Sequence, residues 1–223
     1  MTRSFLREGG IVMENKTPKS DIKINLGCGG RPLPGYINVD LDTIEQMKVR
    51  YPGTVFPEGV DVFQYDIFNL PFPDGSVALI RADSLLEHLS FLEESKLFQE
   101  VKRALSPGGC FEFSVPDFEE TVRLWLQAKD EWKDFFRNDP EAIAAQHWFG
   151  QYSYSTESRW GYLTASIFGP QNSEGQFHKN CYTENKIRAL LHRIGFEVDE
   201  LSRFNWKGDR NLMIFVRARK KSS

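Results

Sequence analysis

"INLGCGGRPLPGYINVDLD", residues 24–42, decides how this chain is read. A short apolar run over 22–26 meets Gly27, Gly29 and Gly30, and a second run over 36–42 carries Asp40. A strand leading into a glycine turn opens many α/β folds, whose ligands sit at the carboxyl ends of the strands. In the dinucleotide pattern G-x-G-x-x-G the turn continues into a helix, because a pyrophosphate needs helix N–H groups and their dipole. Here the third position is Pro32, and Pro34 follows. Proline is tolerated only in the first turn of a helix, so little or no helix fits between the two strands. Asp40 also arrives much earlier than the spacing of roughly twenty residues in the NAD pattern. Such a loop brings backbone close to a ligand, and Asp40 can bind ribose hydroxyls, but a diphosphate finds little to neutralise it. A nucleoside cofactor without phosphate, such as S-adenosyl-L-methionine, fits better than NAD or ATP. The same two prolines disfavour an NAD-linked reductase.

Further strands are expected at 60–66, at 76–83 ("SVALIRAD", the continuous apolar run of a central strand) and at 110–117. A helix is expected over about 91–105, where Ser90 and Glu93 form a capping box, Leu97, Phe98, Val101 and Leu105 share a face, and "SPGG" (106–109) stops it. A second helix, 183–196, has Thr183 as its N-cap and Ile187, Leu190, Leu191 and Ile194 facing in; two strands then follow directly and must pair antiparallel. The expectation is an α/β fold: a seven-stranded, mostly parallel sheet with helices on both faces and the last strand antiparallel. An aromatic-rich helical insertion follows strand five. That insertion, 118–177, holds 13 aromatic residues in 60 positions, about twice the density elsewhere. Within it "DPEAIAAQHWFG" (139–150) reads as a capped helix.

The chain therefore divides into a disordered leader, 1–21 (with Met13 as an alternative start), a cofactor-binding core, 22–117, the insertion, 118–177, a C-terminal helix and strands, 178–219, and a basic tail, 220–223. A net charge of −3 gives no electrostatic reason to expect nucleic acid. Cys28, Cys110 and Cys181 are too few and too unevenly spaced for a disulfide framework, which suits a reducing cytoplasm. No segment reads as a signal peptide or a membrane span.

Each later strand also ends in a polar group: "YDIFNLPFPDGS" after strand three, "RADSLLEHL" after strand four, "SVPD" after strand five. Together with "NLGCGG", "VDLD" and "EVKRALSPGG", these pieces resemble class I S-adenosylmethionine-dependent methyltransferases over 22–117. The stretch "FGPQNSEGQFHKNCYTENKIRALLHRIGF" is similar to a bacterial branch often associated with surface-polysaccharide gene clusters. The resemblance implies cofactor contacts at Asn25, Leu26, Gly27, Cys28 and Gly29, largely by backbone. It places Asp40 and Leu41 at the ribose, Asp66 and Ile67 at the adenine, and the backbone of Ala82 and Asp83 at the methionine portion. Two departures stand out: Asn25 replaces an acidic residue common in that family, and the helix after strand one is truncated.

In such an enzyme the sulfonium supplies the hard chemistry, while the protein holds the acceptor in line, excludes water and removes a proton from a hydroxyl acceptor. His88 and His178 are the candidate bases, with Asp117 and Glu87 nearby in the sequence; His147 and His192 read as an insertion residue and a helix-surface residue. Glu87, His88 and His178 also offer metal-ligating atoms, but related cation-binding proteins carry a further Glu where Ser84 stands, and no metal is expected. The aromatic insertion with Arg159 suits a sugar, a glycolipid head group or a small planar acceptor. The expected activity is O-methylation of a carbohydrate or other small metabolite. A catalytically silent S-adenosylmethionine-binding module is the alternative, since fold does not fix function.

Overall fold

The strands β1 (Lys23–Leu26), β2 (Ile37–Val39), β3 (Val62–Phe63), β4 (Val77–Asp83), β5 (Leu105–Pro116), β6 (Phe196–Phe204) and β7 (Met213–Lys220) form one sheet in the order β3-β2-β1-β4-β5-β7-β6. In this computed structural model residues 21–51, 53–131, 155–171, 174–206, 210 and 212–222 are described. Residues 1–20 of the expected 1–21 leader, the expected 139–150 helix, His147, Trp132 and Trp148 lie outside them.

Pairing is parallel from β3 through β5, and β7 runs antiparallel to both β5 and β6, as the direct β6–β7 succession required. Among the described residues the α-helices are α1 (Ile44–Arg50), α2 (Phe91–Ala104), α3 (Phe118–Gln127), α4 (Thr164–Phe168) and α5 (Glu184–Ile194). From β2 the chain crosses outward through α1 to β3, and from β4 it crosses the other way through α2 to β5. Right-handed crossovers in opposite directions place α1 and α2 on opposite faces of the sheet. No helix joins β1 to β2, as the prolines foretold.

The sequence signals of α2 and α5 act as expected. Ser90 and Glu93 form a complete capping box, Thr183 Oγ1 accepts the Lys186 N–H, and Gly195 closes α5 in a left-handed conformation. Leu97, Phe98, Val101, Ile187 and Leu191 are buried in the main core against Phe111, Phe113 and Ile80 of the sheet. The stretch 106–109 departs from expectation: α2 passes straight into β5 at Leu105, and "SPGG" sits inside the strand where the β4–β5 register shifts between Val77 and Leu79. Helix α1 is an addition to the expected elements. Its capping box joins Thr43 to Gln46, but only Met47 is buried, so the segment shows no apolar period.

Behind β5 the insertion builds a small second core, where Tyr162, Leu163 and Leu212 pack with Leu124, Trp125 and Ala128. The neck of this lobe is closed by the Lys129–Ser158 bridge, with Lys129 N–H donating to Glu157 O at 2.9 Å. Among the described residues no helix is long and apolar enough to cross a membrane.

Candidate functional site

Three successive features make the turn after β1 tight. Gly27 and Gly29 adopt φ of +59° and +49°, conformations that L side chains rarely take. A Cβ on Gly27 would lie 2.8 Å from Leu85 Cδ1, and one on Gly30 would lie 3.1 Å from the Tyr51 ring. The rest of the loop is held by two buried amides that the parallel register sets side by side, Asn25 opposite Asn38. Asn25 Nδ2 donates to Asn38 Oδ1 at 3.0 Å and to Arg31 O at 3.2 Å, while Asn38 Oδ1 also accepts the Leu33 N–H at 2.7 Å. Hydrogen bonds that a helix would have supplied locally are thus supplied across strands. Asn25 accordingly faces inward as a brace of the loop.

Asp40 Oδ2 accepts the Gly29 N–H at 2.8 Å and Oδ1 accepts the Asp42 N–H at 3.1 Å, which leaves lone pairs on both oxygens for further donors. The Cys28 N–H is taken by Val39 O at 3.2 Å. What Cys28 and Gly29 offer a ligand is therefore close, side-chain-free surface more than open donors. Burial, reinforced by the charge of Asp40, pushes the Cys28 thiol up to about 12, so it is no nucleophile near neutral pH. Leu41, which follows Asp40 in the chain, is 90% exposed. Asp66 is exposed, with Oδ1 holding the Phe68 N–H, and Ile67 is half-buried. Leu26 and Ala82 are fully buried, which limits Ala82 to contact through its backbone. Asp83 is tied to Arg81 and to Ser114 Oγ, and Ser84 after it takes φ of +51°, a strained value for a non-glycine residue at a strand end. The guanidinium of Arg31 stacks on Trp206 at 3.7 Å, joining the glycine loop to the β6–β7 connection.

The turn that leaves β4 carries Leu85 against the glycine loop and, three residues later, His88. This histidine meets His178 with ring centroids 5.0 Å apart and planes at 72°. Each ring is oriented by a carbonyl: His88 Nδ1 bonds Phe177 O at 3.1 Å, and His178 Nδ1 bonds Ser166 O at 3.0 Å. A carbonyl only accepts, so each Nδ1 carries the proton and each Nε2 keeps a lone pair. Burial lowers the pKa of His88; it also brings His178 down to about 4, helped by the neighbouring His88, so the pair is neutral near pH 7. Glu87 sits beside them, 2% exposed, and its Oε2 has no hydrogen-bond partner. Burial pushes this carboxyl up to about 8, with the charge of Asp83 adding to the effect. A small cavity borders Glu87, Ser166, His178, Asn180 and Tyr182.

His178 reaches this place because the chain folds back on itself. Gly169 takes φ of +81°, and a Cβ there would meet Gln176 O at 1.9 Å; His178 N–H then bonds Phe168 O at 3.0 Å. Glu87 O accepts the N–H groups of Lys179 and Asn180, fastening the returning segment to the β4 turn.

Asp117, expected as a third catalytic residue, lies outside this cluster. It is 1% exposed and N-caps α3, with Oδ1 accepting the Glu120 N–H at 3.2 Å, while Oδ2 pairs with Arg203 Nε at 2.7 Å. Arg159 likewise works within the lobe: it donates to the carbonyls of Trp125 and Leu126 at the end of α3 and stacks on the Trp125 ring at 4.8 Å. His192 is exposed in the last turn of α5. Tyr51, Leu85, Asn38 and Trp206 are the site-forming residues that sequence reasoning missed. For Asn38 the matched spacing of two Asn across adjacent strands was a signal; for Trp206 no local signal exists.

Residues 25–113 match the family described as "Methyltransferase domain". A curated protein of Mycolicibacterium smegmatis, named "Probable S-adenosylmethionine-dependent methyltransferase", is 32% identical over 83 residues, which cover 36% of this chain and 29% of that protein. An uncharacterised 37.1 kDa protein of transposon TN4556 from Streptomyces fradiae is 29% identical over 109 residues, covering 43% of this chain and 30% of its own length. The chain thus spans less than a third of either relative. Among solved structures, a SAM-dependent methyltransferase from Methanosarcina mazei is similar with a TM-score of 0.55 and 18% identity, covering 97% of this chain and 100% of its own. The 1,6-didemethyltoxoflavin-N1-methyltransferase of Burkholderia thailandensis, solved with S-adenosylhomocysteine bound, superposes with a TM-score of 0.51 at 14% identity, covering 92% of this chain and 72% of its own. Residues 25–113 are thus similar in sequence to a methyltransferase domain, and the sheet has a Rossmann-like fold similar to that of these S-adenosylmethionine-dependent methyltransferases.

Proposed function

We propose that this chain is an S-adenosylmethionine-dependent methyltransferase that methylates an oxygen of a small acceptor, such as a carbohydrate. The observation that carries the cofactor reading is the glycine loop itself. It is tight, built on Gly27, Gly29 and Gly30, braced by Asn25, Asn38 and Asp40, and it has no helix N-terminus to hold a diphosphate. Asp40 would bind the ribose, with Leu41 covered by the nucleoside. Asp66 and Ile67 would meet the adenine, and the backbone at Ala82 and Asp83 the methionine portion.

The oxygen reading rests on the histidine pair. Two neutral imidazoles with their Nδ1 protons fixed on carbonyls present free Nε2 atoms, the form that accepts a hydroxyl proton as the methyl group departs the sulfonium. The reaction then releases S-adenosylhomocysteine and a proton. The free thiols of Cys28, Cys110 and Cys181 suit a cytoplasmic setting, and a net charge of −3 favours a small-molecule or glycan acceptor over nucleic acid. The assignment to a polysaccharide-linked branch is supported only by the resemblance in 168–196.

Calorimetric titration with S-adenosylmethionine and S-adenosylhomocysteine, with NAD as control, tests the cofactor reading. Micromolar binding to both, lost in Asp40→Ala, is expected; binding of NAD alone would overturn it. With an acceptor in hand, His88→Ala and His178→Ala should abolish transfer while cofactor affinity stays. Full activity in both variants would remove the assigned bases.

A further inference from the structure

We propose that Arg31, seated over Trp206 beside the glycine loop, is the receptor for a carboxylate at the ligand-binding end of the sheet. Two sources supply that chemistry: the methionine portion of the cofactor, and an acidic sugar acceptor such as a uronate. The role of either carboxylate rests on the methyltransferase reading; the binding of one does not.

The backbone of Arg31 is fixed from both sides. Its N–H donates to Cys28 O at 2.9 Å, its carbonyl accepts Asn25 Nδ2 at 3.2 Å, and Pro32 after it is buried. From this fixed point the side chain reaches the β6–β7 connection, where the guanidinium carbon lies 3.7 Å from the centroid of the Trp206 ring. An indole at that distance attracts the cation and shields one side of it from water. The residue as a whole is exposed. Among the described residues its guanidinium has no hydrogen-bond or ion-pair partner, whereas Arg81, Arg103, Arg203 and Arg217 each hold a carboxylate.

The charges acting on Arg31 mark where it lies, for they are those of Asp83 and Arg81 at the end of β4. Partial desolvation lowers its pKa, Asp83 opposes this and Arg81 adds to it, but a guanidinium stays charged near neutral pH. Asp83 is committed elsewhere: its Oδ2 takes Arg81 Nε at 2.7 Å and its Oδ1 takes Ser114 Oγ at 3.0 Å. Arg31 is therefore an unmatched cation beside the strand end. A carboxylate arriving there accepts two parallel N–H bonds from the fork, strengthened because the indole excludes water on one side. A neutral ligand gains nothing comparable, so the residue sorts ligands by charge.

The test uses the full chain and compares two nucleosides that differ at the amino-acid end, S-adenosylhomocysteine and 5′-methylthioadenosine. If the methionine carboxylate is the ligand, Arg31→Gln weakens S-adenosylhomocysteine by roughly tenfold or more and leaves 5′-methylthioadenosine within about twofold of wild type. Arg31→Lys, a point charge without the fork, falls between. A second arm titrates glucuronate against glucose, with and without S-adenosylhomocysteine. If the acceptor supplies the carboxylate, glucuronate binds roughly tenfold or more tighter than glucose, and Arg31→Gln removes that advantage. A role limited to joining the two loops would instead lower Tm and weaken both nucleosides alike, with every ratio as in wild type. That result, or wild-type ratios in both arms without any other change, overturns the proposal. Should neither nucleoside bind wild type, the cofactor reading fails, and the glucuronate arm alone decides this one.

Discussion

Replacing Gly27 by alanine tests whether the loop after β1 is shaped for close approach. The comparison variant is Gly35→Ala. Both glycines take positive φ, +59° and +76°, so an alanine at either is strained by about 1–2 kcal/mol. They differ in surroundings. A Cβ at Gly35 meets nothing within 4 Å, whereas one at Gly27 meets Leu85 Cδ1 at 2.8 Å and Leu85 Cβ at 3.3 Å. The Cδ1 tip can swing away, but Cβ is fixed to the backbone of the β4 turn, so part of the crowding stays. Overpacking of this kind costs about 1–3 kcal/mol. The Gly27 variant should therefore unfold about 4–8 °C below the Gly35 variant, for a further loss near 2 kcal/mol in a chain of this size. Displacing Leu85 also moves the wall opposite the loop, so affinity for S-adenosylhomocysteine should fall at least tenfold in Gly27→Ala and little in Gly35→Ala. Scanning calorimetry and isothermal titration read the two effects separately. Equal melting temperatures for the two variants, or wild-type affinity in Gly27→Ala, would refute the reasoning.

Acid should weaken the attachment of 70–74 to α2. Glu100 accepts the Leu70 N–H at 2.6 Å and pairs with Arg103, which also holds Leu70 O, Phe72 O and Asp74; hydrogen bonds from Arg103 depress the Glu100 carboxyl below its usual range. A carboxyl depressed on folding contributes stability that is fully present above its unfolded pKa, near 4.3, and is lost as pH falls through the lower folded value. Glu100→Gln should flatten that acid limb in a pH series of urea unfolding curves, and an unchanged limb would count against it. Leu41→Ala should leave stability within about 0.5 kcal/mol, because the side chain is 90% exposed. Cofactor affinity should nevertheless drop about fivefold if the nucleoside covers Leu41, for roughly 1 kcal/mol of lost apolar burial; an unchanged dissociation constant would argue that it does not. Asp117→Ala removes an N-cap and the partner of half-exposed Arg203, which together should cost about 2 kcal/mol. Its affinity for S-adenosylhomocysteine should match wild type, and a large loss would return Asp117 to the site.

Much of this architecture was written in local pattern. The runs at 22–26 and 76–83, the caps at Ser90 and Thr183, and the faces of α2 and α5 each express burial at their own period, so they could be read before any contact was known. Helix α1 escaped because a helix that buries only Met47 has no stripe to detect. The "SPGG" stretch misled for another reason: it breaks a helix in any context, yet here the strand begins before it and bulges around it. At the site, Asp40 after strand two, His88 after strand four and His178 beside the insertion were visible as residue types. Grouping both histidines with Glu87 was possible from the sequence, but the ring contact itself depends on a reversal at Gly169 that only tertiary structure reveals. Asp117 looked catalytic for its position after β5, but the helix that starts there and Arg203 across the sheet claim both of its oxygens.

The closed neck at Lys129 and Ser158 gives the molecule a seam. Loop-closure entropy grows slowly with length once the ends are joined, so the chain between these two residues can lengthen, shorten or change composition with little effect on the sheet. The histidine pair is anchored outside that seam, by Ser166 and Phe177. Descendants of this protein can thus exchange the whole segment as a cassette while the sheet, the glycine loop and the histidine pair stay intact.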